Sequence, residues 1–172
     1  MAVAGSLKFA LEVFETPSEP VQGGGIRHIL DLAFALASGT SDGQINMIYS
    51  HRDSVAASAT DQHDLAGSKA GALGNTLTFV DVTTIILVNR STTAGDVLHL
   101  SPPAANGFLG PFADASDIIK VGPGVTGQPA FVILHEPRGW AVTAGTGDLL
   151  DVIEAGGANT VSYDLYVLGR SA

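Results

Sequence analysis

The 172-residue chain contains no cysteine. That absence excludes disulfides, thiolate metal sites and cysteine nucleophiles together. Positive charge is also scarce: 8 Lys and Arg stand against 17 Asp and Glu, for a formal net charge of −9. The basic residues Lys8, Arg27, Arg52, Lys69, Arg90, Lys120, Arg138 and Arg170 are scattered singly. A protein that neutralises phosphates needs clustered cations, so no nucleic-acid partner is expected. No polybasic or cationic amphipathic segment offers a membrane surface, so no membrane partner is expected either. Lys8, Glu12 and Glu15 interrupt the first apolar stretch, which therefore does not read as a signal peptide. The longest uncharged run, Val97 to Ala113, holds Pro102, Pro103 and Pro111 and makes a poor membrane helix.

Catalytic motifs are missing as well. There is no Gly-x-Ser-x-Gly elbow and no phosphate loop, and Gly23-Gly-Gly25 does not match the dinucleotide fingerprint. The five histidines, His28, His51, His63, His99 and His135, include no His-x-His or His-x-x-x-His pair. Any metal site would need ligands that converge from separate strands. The paired-histidine motif of a cupin enzyme is absent, although Gly122-Pro-Gly124 before a strand is faintly cupin-like. Asp114, Asp117, Asp148 and Asp151 lack the alternate-ligand spacing of a calcium loop and read as turn-shaping residues. The expectation is a chain without catalytic residues, cofactor or metal, and not an enzyme.

What the sequence does have is apolar content and strand periodicity. Hydrophobic residues make up 45% and charged residues 15%, the balance of a folded domain rather than a disordered one. Two-residue alternation recurs along the chain. Leu7, Phe9, Leu11 and Val13 share one face of an extended segment. Thr16-Pro-Ser-Glu-Pro20 ends that segment, and Gly23-Gly-Gly25 reads as a hinge or bulge. Leu30, Leu32, Phe34 and Leu36 form a second set, Ile45, Met47 and Tyr49 a third, and Val55, Ala57 and Ala59 a weaker fourth. Val82 to Val88, Val97 to Ser101, Ile118 to Val121, Ala130 to Leu134, Leu149 to Ile153 and Val161 to Leu168 continue the pattern. Asp64 to Leu73, with an acidic N-cap and Gly74 as a stop, predicts one short helix. About eight to ten short strands at regular spacing predict an all-β, jelly-roll-like antiparallel β-sandwich. The chain reads as one domain over residues 1–172, with 1–25 as an N-terminal strand or arm.

Large apolar residues in irregular segments are the candidate interface. Phe108, Leu109 and Phe112 sit in a Gly/Pro loop, and Trp140 follows Pro137-Arg-Gly139. Phe108, Leu109 and Phe112 are read either as core packing or as contact with a neighbouring subunit, and Trp140 as a platform for stacking a sugar or, more readily, as core or interface packing.

Several stretches carry a resemblance. Gly39-Thr-Ser-Asp-Gly-Gln-Ile-Asn-Met-Ile-Tyr-Ser-His-Arg52, His63-Asp-Leu-Ala-Gly67 and Gly74-Asn-Thr-Leu-Thr-Phe79 resemble the early part of a group of tailed-bacteriophage structural proteins. Ile85 to Gly95 and Asn106-Gly-Phe108 are similar to their central part. Ile118 to Pro123, Gly145-Thr-Gly-Asp-Leu-Leu150 and Tyr163-Asp-Leu-Tyr-Val-Leu-Gly169 are similar to their C-terminal half. The resemblance spans Gly39 to Ala172 and consists of turn-and-strand patterns. It implies a virion component of jelly-roll type, a decoration or cement protein of the capsid surface. The implied partners are the major capsid protein and further copies of this chain, with a trimer favoured because capsid lattices offer threefold positions. The alternative it leaves open is a tail or receptor-binding sandwich that recognises host-surface glycans. No catalytic residue follows from it.

Overall fold

The computed structural model describes residues 5–15, 26–67, 69–71, 74–157 and 159–172. The proline pair and the glycine run between 16 and 25 lie outside the described residues. Two long strands come first. β1 (Gly5–Glu15) and β2 (Ile26–Ser38) pair antiparallel, with Leu7 opposite Phe34, Phe9 opposite Leu32 and Leu11 opposite Leu30. β2 runs on into a short parallel pairing with β3 (Gln44–Ile45). Then follow β4 (Met47–Val55), β5 (Thr60–Asp64), β6 (Lys69–Ala70), β7 (Thr76–Leu77), β8 (Asp81–Asn89) and β9 (Leu98–Ser101). β10 (Ile119–Val121), β11 (Ala130–Ala141), β12 (Leu149–Glu154) and β13 (Val161–Arg170) complete the described elements.

Two four-stranded antiparallel sheets make the sandwich, in the orders β11-β8-β13-β4 and β10-β9-β12-β5. The chain changes sheet at β4–β5, between β5 and β8, and at β8–β9, β10–β11, β11–β12 and β12–β13. That interleaving is the jelly-roll arrangement. Strand alternation explains the core. Tyr163, Leu165 and Val167 of β13, Ile85 and Leu87 of β8, Leu98 and Leu100 of β9, and Leu150 and Val152 of β12 are all fully buried between the sheets. β4 and β5 are the edge strands of their respective sheets and are joined by one tight turn.

Two expected elements differ. No helix forms among the described residues from Asp64 to Leu73. The Asp64 carboxylate does accept the Ala66 N–H at 3.1 Å, as a cap would. However, the Leu65 N–H donates to the Asp148 carbonyl and the Leu65 carbonyl accepts the Phe79 N–H. The second bond uses a carbonyl that a helix starting at Asp64 would need, and Leu65 is drawn fully into the core. Short-range propensity loses to packing in a segment too short to stand alone.

The alternating Val55, Ala57 and Ala59 set is not a strand. β4 stops at Val55 and the chain turns, with Ser58 at φ 56° and the Ala59 N–H bonded to the Ala56 carbonyl. The turn is held from outside. The buried Glu154 carboxylate accepts the backbone N–H groups of Ser58 at 2.8 Å, Gly156 at 2.7 Å and Gly157 at 2.8 Å. Those donors, Ser58 foremost, hold its pKa below the usual glutamate range against the opposing effect of burial. A depressed folded pKa adds stability above the unfolded value that is lost as pH falls through the folded one. Glu154→Gln is therefore expected to lower the Tm at neutral pH and to flatten the acid limb of a Tm–pH curve below about pH 4.5. Thermal melts across that range check it.

Candidate functional site

Three features stand out: the predicted apolar residues, the N-terminal hairpin and a polar cluster at the open edge of the sandwich. Phe108 is fully buried and Phe112 nearly so, both within the core cluster. The Phe108 N–H donates to the Leu149 carbonyl, which ties the loop to β12 and turns the ring inward. Trp140 is half-buried against the same core. β11 shifts register between His135 and Trp140, with Gly139 at φ 83°. A Cβ on Gly110 would sit 2.3 Å from the Trp140 Cβ, so the ring side is closely covered. Leu109 alone of the four is exposed.

The hairpin was legible as strands, but its situation was not. β1 places Leu7, Phe9, Leu11 and Val13 on one face, and β2 adds Leu30, Leu32 and Phe34 to it. Phe9, Leu11, Val13, Leu30, Leu32 and Phe34 are each 40–45% exposed. Only the base is seated. Leu36 packs with Ile45, Leu168 and Tyr166, and the Phe34 ring lies 5.2 Å from that of His135. Between the hairpin and β11 runs a cleft of about 470 Å³, lined by Leu7, Phe9, Leu32, Phe34, Phe131 and Ile133. Phe131 is itself 55% exposed, so the apolar surface continues from the hairpin onto the outer face of the sheet.

That outer face carries one charged clamp. The buried Asp164 takes Arg52 Nε at 2.5 Å and Arg90 Nε at 2.7 Å. Arg52, then Arg90, hold its carboxyl below the usual aspartate range.

The polar cluster lies where β4 and β5 face each other across the edge of the sandwich. Alternation in β4 turns Tyr49, His51 and Asp53 to the same side as the core residue Val55, and β5 turns Asp61 and His63 toward them. Tyr163 enters from β13, opposite Asp53 in register. His51 Nε2 lies 3.4 Å from the Asp61 carboxylate and 3.5 Å from that of Asp53. It is buried yet makes no hydrogen bond. His63 Nε2 is 3.8 Å from Asp61 and 3.1 Å from the Tyr163 hydroxyl. The Tyr49 hydroxyl lies 3.3 Å from His63 Nδ1, and the Tyr163 hydroxyl donates to Asp61. The Tyr49 and His51 rings stack with centroids 5.6 Å apart.

Electrostatics follow from this packing. His63 is fully buried, and burial drives its pKa down to about 4 against the pull of Asp61, so it is a neutral imidazole at pH 7. Burial pushes Asp61 up. The Tyr163 hydroxyl, then His63 and His51, outweigh that push and leave it below its ordinary value. Burial, with Asp61 and Asp53 behind it, raises Tyr49 to about 12. Burial and the bond to Asp61 also raise Tyr163, so both hydroxyls stay protonated.

Among the described residues, His51, Asp61 and His63 form the group able to hold a metal ion, since one donor atom from each lies within 4.8 Å of the other two. Local spacing of histidines alone misses this constellation. The signal present in the sequence is two-residue spacing of polar residues, Tyr49-x-His51-x-Asp53 and Asp61-x-His63, on strand faces whose neighbours Val55 and Leu65 are buried. Among the described residues no helix is long and apolar enough to cross a membrane. No protein-family model, curated protein or solved structure matches this chain.

Proposed function

We propose that this chain is a structural component of a tailed-phage virion, a decoration protein that binds the outer head surface and stabilises the assembled shell. The observation that carries this reading is the hairpin of β1 and β2. Its apolar face is left uncovered by its own sandwich and is continuous with the exposed Phe131 on β11. At about 3.4 Å per residue, the eleven residues of β1 reach about 37 Å. Two strands wide, that face measures of the order of 400 Å², the size of the largest patch on a typical monomer, which is often functional. Leaving it in water forfeits the burial of six large side chains, so a neighbouring subunit is its natural cover.

The remaining features suit that role. A two-sheet body with the resemblance described above gives a rigid platform. An excess of acidic residues suits the face of a shell turned away from packaged DNA. The proposed contacts are a second and third copy of the chain through the hairpin and Phe131, and the major capsid protein through the remaining exposed loops. The proposed mechanism is mass action: a ligand that binds only the assembled shell raises its apparent stability. Catalysis has no part in it. The glycan-binding alternative is less favoured, because its candidate platform Trp140 is half-buried against the core.

Co-sedimentation with expanded heads that lack this protein tests the proposal. Saturable binding, with a rise in the temperature at which the heads rupture, is the expected result. A chain that stays in the supernatant at tens of micromolar and leaves the rupture temperature unchanged overturns it.

A further inference from the structure

The geometry points to a divalent transition-metal site of the zinc class at the edge of the sandwich, with His51 Nε2, His63 Nε2 and an Asp61 carboxylate oxygen as ligands. Two imidazoles and one carboxylate are a donor set that suits zinc and its neighbours in the first transition row rather than magnesium or calcium, which prefer oxygen. Bonds of about 2.0–2.1 Å to a tetrahedral ion place ligand atoms about 3.3 Å apart. The observed separations from the Asp61 oxygen are 3.4 Å to His51 and 3.8 Å to His63. The third edge, between the two imidazoles, is within 4.8 Å, so binding an ion draws the three side chains together.

The groups around the three donors are those a metal site requires. The His63 Nδ1 is engaged by the Tyr49 hydroxyl at 3.3 Å, and an ion on Nε2 takes the place of its 3.1 Å contact with the Tyr163 hydroxyl. The Tyr163 hydroxyl bonds to Asp61 and orients its carboxylate. Metal ligands are commonly held by such outer partners. His51 Nε2 is the decisive atom: it is buried and lies 3.4 and 3.5 Å from two carboxylates, with no well-formed hydrogen bond to either. A buried polar atom left in that state is costly, and coordination satisfies it. The fourth position falls to Asp53, half exposed and 3.5 Å from His51 Nε2, or to water.

The ligands come from β4 and β5, which belong to different sheets. An ion there bridges the two sheets at their open edge, where strands otherwise fray first. The site thus acts as a clip on the body, independent of the hairpin and of any partner.

The test uses the full chain, stripped with EDTA and dialysed. Titration with zinc chloride by calorimetry is expected to give one ion per chain and a Tm that rises with zinc. Magnesium and calcium are expected to leave the Tm unchanged. Cobalt(II) added to the stripped wild-type chain is expected to give the visible d–d bands of a low-symmetry nitrogen–oxygen site, a readout that needs no variant. His51→Ala removes a partly exposed side chain, so the fold survives. In that variant zinc affinity is expected to fall by more than about 100-fold, beyond the range of an outer-partner loss, and the zinc-dependent Tm rise to vanish. Asp61→Asn is expected to do the same. A stripped wild-type chain that takes up no stoichiometric zinc and shows no cobalt bands overturns the site. Equally tight zinc binding by His51→Ala and Asp61→Asn also overturns it, because the ion would then sit elsewhere.

Discussion

Glutamate at both Leu11 and Leu30 is expected to dissolve the proposed trimer into monomers and leave the sandwich folded. The two residues face each other across the hairpin, and each is about half exposed, 45% and 44%. Neither belongs to the core between the sheets. The change therefore costs the monomer little, since substitutions of exposed residues away from special features usually stay within about 0.5 kcal/mol. In an assembled state the same pair puts two carboxylates into an apolar contact, where an unpaired charge costs several kcal/mol. Spread over every copy of a symmetric oligomer, that penalty exceeds what a standard interface gains. Light scattering is expected to shift from about 52 kDa for three chains of 17.5 kDa to the mass of one chain. The far-UV circular dichroism and the Tm of the body are expected to stay within experimental error of the parent. A double variant that keeps the parent's mass removes the hairpin from the interface.

Phe108→Ala carries the second large effect, and it is one of stability rather than of binding. Phe108 has no exposed surface and packs in the main core cluster with Phe112 and Leu150. Truncating a buried phenylalanine to alanine loses its transfer free energy and leaves a cavity, for about 3–5 kcal/mol. In a domain of this size that corresponds to a fall in Tm of roughly 6–20 °C. Below the lowered Tm, oligomeric mass and shell binding are expected to match the parent, because the ring faces the inside. The contrast with the Leu11 and Leu30 pair separates core from contact. A Phe108→Ala chain that melts normally but fails to assemble would place Phe108 at an interface after all.

Much of the fold was legible because burial on one side of a strand leaves a two-residue signature. Val161, Tyr163, Leu165 and Val167 alternate in sequence and are all fully buried in β13. β8 and β9 could be read the same way. Partner choice could not, since alternation gives a strand its face and says nothing about its neighbours. That is why the hairpin's strands were readable while its uncovered face was not: exposure there follows from where the sandwich lies. The aromatic loop shows the converse. Phe108 and Leu109 are adjacent and both strongly apolar, yet one is fully buried and the other 44% exposed, because backbone bonding to β12 sets the turn. The polar cluster depends on the β4–β5 turn. Ser58 adopts a positive φ and Glu154, nearly a hundred residues away in sequence, fixes the turn. Without that distant carboxylate in view, the alternation through Ala57 and Ala59 mimics a continuing strand. It then separates His51 from Asp61 and His63, which the turn brings together.

Electron microscopy of expanded, undecorated heads mixed with the purified chain tests the central claim most directly. The account predicts ordered density on the outer surface at symmetry axes of the shell, with the sandwich outermost and the hairpins of neighbouring copies in mutual contact. Heads that remain bare, or density confined to the tail, would contradict it.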